Sequence, residues 1–328
     1  MIRILHVKSN NSSETHDDLA KIPNFLADQK GFFWLDIFDE PIEKVTDLFT
    51  NIFKFHPLAI EDALVQMHVP KIDDWNEYVY IVLHSVTFDK SEDDLLGSHE
   101  LDIFMGHNYL VTYHTEVFEA INLPWENAVR DERVYTQGVG GLLYKVLEEM
   151  ATQFMHIIDR LDDLVETIEQ EIFTRPDSSL LSLLFTTKRS LLTLRRILTP
   201  QREVVNKLAR GDYEVVDPND RSYYRDVYDH YVRLHDISES MRDLVGGALE
   251  TYLSVVNNRM NDIMKTLTII TTFFMPISFV ASFFGMNFFA PHDDLLVFTS
   301  PVSFAVTMAV IIGTPVFMFF WLRSRKWL

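Results

Sequence analysis

No cysteine occurs in the 328 residues, which excludes disulfides and thiolate metal sites and fits a reducing compartment. Basic residues are scarce, 29 Lys and Arg against 48 Asp and Glu. So acidic a chain repels nucleic acid and draws cations, with plain solubility as the competing reading. Enzyme signatures are missing too. Gly138-Val139-Gly140-Gly141 lacks the Lys of a phosphate loop, and neither His-Glu-x-x-His nor a dinucleotide fingerprint occurs. No catalytic residue is assigned, and an enzyme is the weakest reading. The opening stretch, Met1 to Asn10, lacks the long apolar core of a signal peptide, so the amino-terminal domain is expected in the cytosol.

Charge itself is absent from two long stretches. Residues 266–292 and 295–322 hold no Asp, Glu, Lys or Arg, and each exceeds the roughly 20 residues that cross about 30 Å of hydrocarbon. Residues 266–328 carry only Arg323, Arg325 and Lys326 against Asp293 and Asp294; 29 less 3 and 48 less 2 leave 26 basic and 46 acidic residues, a charge of −20, in residues 1–265. Arg259 and Lys265 precede the first span and the basic triplet follows the second. Residues 288–300 contain no Lys or Arg, so both termini are expected on the cytoplasmic side of an inner (plasma) membrane. The loop between the spans then lies outside, with Asp293 and Asp294 as its exposed carboxylates and cation attractors.

The fold class read from these patterns is an α+β membrane protein. Residues 1–140 form a cytosolic α/β domain with β-rich runs at Met1–Val7, Gly31–Ile37, Tyr78–Phe88 and Leu101–His114, and helices near Ile42–Phe49 and Pro57–Gln66. Residues 141–265 are helical, with stretches Leu142–Phe173 and Ser179–Leu208 and a stalk over about 221–265, punctuated by Pro176 and Asp217-Pro218-Asn219-Asp220. Then follow a first span over 266–287, an external loop over 288–299, a second span over 300–322 and a basic tail over 323–328. Leu234, Ile237, Met241, Leu244, Ala248, Tyr252, Val256, Met260, Ile263 and Leu267 recur at steps of three and four, which predicts a packing seam. If unbroken at Gly246-Gly247, a helix from Arg221 to Phe284 is on the order of 95 Å long.

The first span and its approach carry a second stripe. Asn261, Met264, Thr268, Thr271, Met275, Ser278 and Ser282 alternate at steps of three and four, among Ile, Leu, Phe and Val. Small hydroxyls and thioethers disfavour lipid, so the stripe faces other helices or water. A dry helix contact is the alternative to a pore. No carboxylate lies inside either span, so neutral oxygens along a wet passage would meet a hydrated ion, which suits Mg²⁺ with its reluctance to shed water. Two helices enclose no passage, so a pore requires a homo-oligomer. Pro276 removes a hydrogen bond to the carbonyl of Thr272. Gly285-Met286-Asn287 closes the span: Gly285 serves an ordinary helix end, and copies of Asn287 would ring the outer mouth with amide oxygens.

At these residues the chain resembles the CorA family of Mg²⁺ channels, whose signature is Gly-Met-Asn at the end of the first of two carboxy-terminal spans. The likeness extends to Met264-Lys265-Thr266-Leu267-Thr268-Ile269-Ile270, Met275-Pro276, Lys326-Trp327-Leu328, Arg225-Asp226-Val227-Tyr228-Asp229-His230 and His56-Pro57-Leu58-Ala59-Ile60-Glu61-Asp62. The resemblance implies a funnel-shaped homopentamer with Asn287 as the outer selectivity ring. Asn261, Met264, Leu267 and Met275 match pore and gate positions. Glu61, Asp62 and Asp226 match regulatory Mg²⁺ sites between neighbouring subunits, and Glu250 an acidic position near the inner mouth. Where the family commonly continues Met-Pro-Glu, this chain has Phe289-Ala290-Pro291-His292-Asp293-Asp294, which moves the external acidic function to Asp293 and Asp294.

The expected activity is passive, potential-driven uptake of Mg²⁺, with Co²⁺ and Ni²⁺ as further cargo, shut off by Mg²⁺ bound between cytosolic domains. Expected partners are membrane lipid, divalent cations and further copies of the chain, with no nucleic acid. A Zn²⁺ transporter of the same architecture and a membrane-anchored scaffold or sensor are the competing readings.

Overall fold

The computed structural model describes residues 1–9, 12–28, 30–65, 68–88, 95–285 and 301–325. These divide into two compact units, Met1–Tyr252 and Leu253–Leu328.

The first unit opens with β1 (Ile2–Val7), β2 (Ser13–His16), α1 (Ile22–Ala27), β3 (Phe32–Phe38) and α2 (Ile42–Asp47), whose chain runs on through a wide helical turn at Leu48–Phe53. Then come α3 (Pro57–Val65), β4 (Lys71–Asp74), β5 (Tyr78–Phe88), β6 (Leu96–Gly106) and β7 (Tyr109–His114). The strands form one sheet in the order β2-β1-β3-β7-β6-β5-β4, with β3 and β7 parallel and the other neighbours antiparallel. The run expected over Leu101–His114 is two strands, because Gly106-His107-Asn108 turns the chain back on itself between β6 and β7. Strands β2 and β4 are four-residue edges rich in charge and hydroxyl, too short and polar to leave an apolar signal.

Strand β5 is buried along most of its length, which explains its unbroken apolar run: both faces of the sheet are covered. On one face Phe33, Leu35, Tyr80, Val82, Phe104 and Val111 meet Val45, Phe49, Ala59 and Ala63 of α2, the wide turn and α3. Helices α4 (Glu119–Arg130) and α5 (Gly138–Thr174) lie against the sheet as well, and Trp34 meets Trp125 edge-on at 5.0 Å.

Helix α6 (Ser178–Arg210) is capped at its start by Asp177, whose carboxylate accepts from the Ser179 and Leu180 amides, and ends at Gly211 with φ +70°, a left-handed closure that costs glycine little. Helix α7 (Arg221–Gly285) is one helix of 65 residues with no break at Gly246-Gly247, about 97 Å at 1.5 Å per residue. Its buried row differs from the expected seam. Tyr224, Val227, Tyr231, Leu234, Ser238, Met241, Val245, Ala248 and Tyr252 are buried, whereas Ile237 is only half-buried and Leu244 is exposed. The packed row repeats every seven residues and contains tyrosines and a serine, which an apolar count underweights. Tyr224 Oη donates to the Gly140 carbonyl at 3.1 Å, and Tyr231 Oη accepts from Gln201 Nε2 at 2.8 Å.

The second unit contains the rest of α7 and α8 (Pro301–Ser324). Both helices carry windows long and apolar enough to cross a membrane. Pro276 and Pro315 sit inside them without ending either one.

Candidate ion pathway and regulatory residues

Helix α3 turns Ala59, Ile60 and Ala63 into the core, which directs Glu61 to solvent and leaves Asp62 half-buried. The entry to α3 is held by His56, which stacks on Trp75 with ring centres 4.0 Å apart and accepts from the Leu58 amide at 3.2 Å. Asp62 forms an ion pair with Lys71, and Lys71 also reaches Asp73 at 2.8 Å. Burial opposes the Lys71 charge, but its hydrogen bonds to Asp62 and Asp73 prevail and raise its pKa. His68 Nε2 lies 3.5 Å from Asp62 on the other side. One carboxylate of the expected regulatory set is thus already engaged by an internal cation.

Asp226 lies on the exposed side of α7, one residue from the buried Val227. Its charge contributes to raising the pKa of Tyr144, after burial and the hydrogen bond to Glu148. Glu250 is exposed on the same helix. Among the described residues no three His, Asp or Glu side chains are arranged to hold a metal ion. The expected regulatory set spans a subunit boundary, and one chain presents its two halves separately, Glu61 and Asp62 on α3 and Asp226 on α7.

Two groups escaped sequence reasoning. The first is a groove of about 570 Å³ beside α7 that includes Asp162, Asp229, Asp236, Ile237 and Leu244; the seven-residue step between Asp229 and Asp236 was the available signal. The second lies between the sheet and α6, where Glu100 is buried, its Oε1 has no hydrogen-bond partner, and His68 Nδ1 stands 3.4 Å away, also unpartnered. Strands bring these residues together across 32 positions, beyond any local spacing rule.

Buried charge elsewhere in the sheet is structural. Asp36 on β3 is fully buried; it accepts from Arg3 Nε at 2.8 Å and from Thr112 Oγ1 at 2.6 Å, with His114 Nε2 at 3.1 Å. Burial opposes its ionisation, yet His114, Arg3 and Thr112 together hold its carboxyl below the usual range. Asp102 on β6 shows the reverse. Burial, reinforced by Glu100, pushes it well above that range, while Tyr80 Oη lies 2.6 Å away.

In the second unit Asn261, Met264, Leu267, Thr268, Thr271, Met275, Ser278 and Ser282 are all exposed on α7. Thr268 Oγ1 donates to the Met264 carbonyl at 2.7 Å and Thr271 Oγ1 to the Leu267 carbonyl at 2.9 Å. With the hydroxyl hydrogens committed to the helix, the oxygens present lone pairs outward, acceptors to which the water shell of a cation can donate. Thr268 also borders α8. Gly285 is the last residue of α7. Met286, Asn287, Asp293 and Asp294 lie outside the described residues.

A family model described as "CorA-like Mg2+ transporter protein" matches residues 29–325. The chain is 32% identical over 301 residues to the cobalt/magnesium transport protein CorA of Thermotoga maritima, covering 90% of this chain and 83% of that one. It is 24% identical over 300 residues to its Methanocaldococcus jannaschii namesake. The complete structure of that CorA magnesium transporter superposes with a TM-score of 0.83 at 21% identity, covering 99% of this chain and 98% of the other. The structure of the full-length CmaX protein superposes with a TM-score of 0.74 at 20% identity, over 98% and 97%.

Proposed function

The chain belongs to the CorA-like Mg²⁺ transporter family, and from that premise we propose that it forms a homopentameric, Mg²⁺-gated channel with the first span of α7 lining the pore. At the coarser level it is a membrane transporter of divalent cations, Mg²⁺ and Co²⁺ among them. The observation that carries the pore is the stripe from Asn261 to Ser282, a line of neutral oxygen and sulfur atoms on one face of an otherwise apolar helix that ends at Gly285, which Met286 and Asn287 follow in the sequence. Hydrated Mg²⁺ needs acceptors for its water and no carboxylate to trap it. Asn287 forms the outer selectivity ring, and Asp293 and Asp294 attract cations outside it. Both termini face the cytoplasm.

No fuel is required. Moving a divalent ion inward through about 100 mV releases about 4.6 kcal/mol, more than a thousandfold in concentration. Uptake that strong needs a shut-off, and Glu61 and Asp62 of one subunit with Asp226 of the next supply hard oxygen donors for one. Carboxylates bridged across that boundary favour the closed state; without the bridge they repel, the stalks part and the Met264–Met275 constriction wets.

The test is Mg²⁺ influx into liposomes with an entrapped dye, comparing wild type with Asn287→Ala and running Zn²⁺ in parallel. Mg²⁺ flux lost in the variant, with assembly intact, is the expected result. Flux of Zn²⁺ alone would assign the chain to zinc transport, and no flux from assembled protein at low internal Mg²⁺ would make it a scaffold or sensor. Neutralising Glu61, Asp62 and Asp226 together is expected to weaken Mg²⁺-dependent closure; unchanged inhibition would remove the gate from this account.

A further inference from the structure

Helices α7 and α8 enclose a cleft of about 470 Å³, lined by Thr268, Ile269 and Thr272 of α7 and Trp321, Leu322 and Arg325 of α8. Its character changes along its length. Leu322 is buried in it, Trp321 is half-exposed, and the Arg325 guanidinium lies 6.0 Å from the centre of the Trp321 ring. Among the described residues no carboxylate pairs with Arg325, and between Lys265 and Arg323 the only carboxylates are Asp293 and Asp294 of the connecting loop. We propose that this cleft binds an anionic phospholipid, the phosphate on Arg325 and an acyl chain along Ile269 and Leu322.

Three features select that occupant. A guanidinium binds phosphate through paired N–H donors. Trp beside Arg at the end of an apolar helix marks the headgroup level of a bilayer, and basic pockets between spanning helices take anionic headgroups. The floor of the cleft is apolar, which suits a chain with a tail and gives a free anion nothing to bury. A second copy of the protein is the weaker occupant: the carboxylate nearest the cleft in sequence is Asp262, six residues before Thr268, about 9 Å along the helix. The site would let the lipid brace α8 against the part of α7 where the pore stripe begins. It would also give an otherwise strongly acidic chain a specific place for the anionic lipid that its cytosolic surface repels.

The experiment uses the full chain in vesicles with Trp327→Phe as background, which leaves Trp321 as the one tryptophan within reach of acyl chains; Trp34, Trp75 and Trp125 belong to the first unit. Brominated phosphatidylglycerol is compared with brominated phosphatidylcholine as quencher. The expected result is severalfold stronger quenching by the anionic lipid, abolished in Arg325→Gln and by Thr272→Leu, which fills the cleft, and kept in Arg325→Lys. Equal quenching by both lipids, or a preference that survives Arg325→Gln, would overturn the proposal. So would absence of quenching by either lipid, which would place another copy over the cleft, and loss of the preference on adding inorganic phosphate, which would assign Arg325 to a free anion. Mg²⁺ influx in the same vesicles is read separately, so a failure of the channel reading and a failure of the lipid site leave different records.

Discussion

The first unit closes its apolar core within one chain; the second does not. In residues 1–252 a carboxylate as deeply buried as Asp36 has Arg3, Thr112 and His114 around it, and the apolar side chains of the sheet are covered on both faces. In residues 253–328 Met264, Leu267, Phe274, Met275, Phe279, Phe304, Phe317 and Phe320 are all largely exposed. A water-soluble domain could not keep so much apolar surface in solvent, which fits a membrane protein and, in the proposed channel, further copies of the chain over part of that surface. The contrast also separates two kinds of polar residue: the buried Asp36 of the first unit is paired by residues distant in sequence, whereas Thr268 and Thr271 of the span bond to carbonyls of their own helix and hold their acceptors outward.

The largest expected effect tests the closed half of that comparison. Asp36→Ala leaves Arg3 without its buried partner, a loss of about 3 kcal/mol or more for a broken buried pair, read as a lower unfolding midpoint of the first unit by near-ultraviolet circular dichroism. The pH dependence follows from the sign of the shift. Because the folded-state pKa lies below the unfolded value, the carboxylate's stabilisation is fully present above about pH 4 and is lost as pH falls through the folded pKa. Asp36→Asn is expected to flatten that acid limb, and an unchanged limb would assign it to another group.

The open half is tested by two neighbours on α7. Phe279→Asp puts a charge on the apolar side of the span and is expected to cost about 3 kcal/mol of insertion, seen as loss of assembled protein from the membrane. Ser278→Asp, on the stripe, is expected to assemble and to change ion flux instead. Equal loss of assembly in both would mean that the stripe is a dry contact.

A smaller pair of changes addresses where the stalk packs. Val245→Ala removes two buried methyl groups, for about 2 kcal/mol by burial and cavity together; Leu244→Ala, on the exposed side, is expected to stay within about 0.5 kcal/mol. Urea unfolding of the two variants reads the difference. The reverse order would restore the seam first read from spacing.

That seam shows how far the residues alone carried. The long helices, the strands of the sheet's middle and both spans announce themselves through period and uncharged length, because lipid and a two-sided core impose simple patterns. The row Tyr224, Tyr231, Ser238 and Val245 was harder to read: its two tyrosine hydroxyls are satisfied by partners distant in sequence, Gly140 and Gln201, so its face looked less apolar than the rival face with Ile237 and Leu244. The stripe on α7 was legible because hydroxyls stand out in a span. The engagement of Asp62 by Lys71 was not, since it depends on α3 and β4 meeting.

That engagement leads to the smallest expected effect and the one that reaches furthest into gating. In the proposed gate Lys71, already paired with Asp62, would compete with a divalent ion for that carboxylate, so a bridge to the neighbouring Asp226 would first have to loosen an internal ion pair. Lys71→Met removes the competitor and keeps the aliphatic stem that lies beside Tyr80, where the ammonium sits 5.5 Å from the ring centre. The pair is partly exposed, with Lys71 at 31% and Asp62 at 29%, so solvent screens it and a few tenths to about 1 kcal/mol is at stake. Mg²⁺-dependent closure is then expected at roughly two- to fivefold lower internal Mg²⁺, read as the concentration that halves influx into liposomes. A shift the other way would make Lys71 a support that orients Asp62 toward the ion, and no shift would detach this carboxylate from the gate.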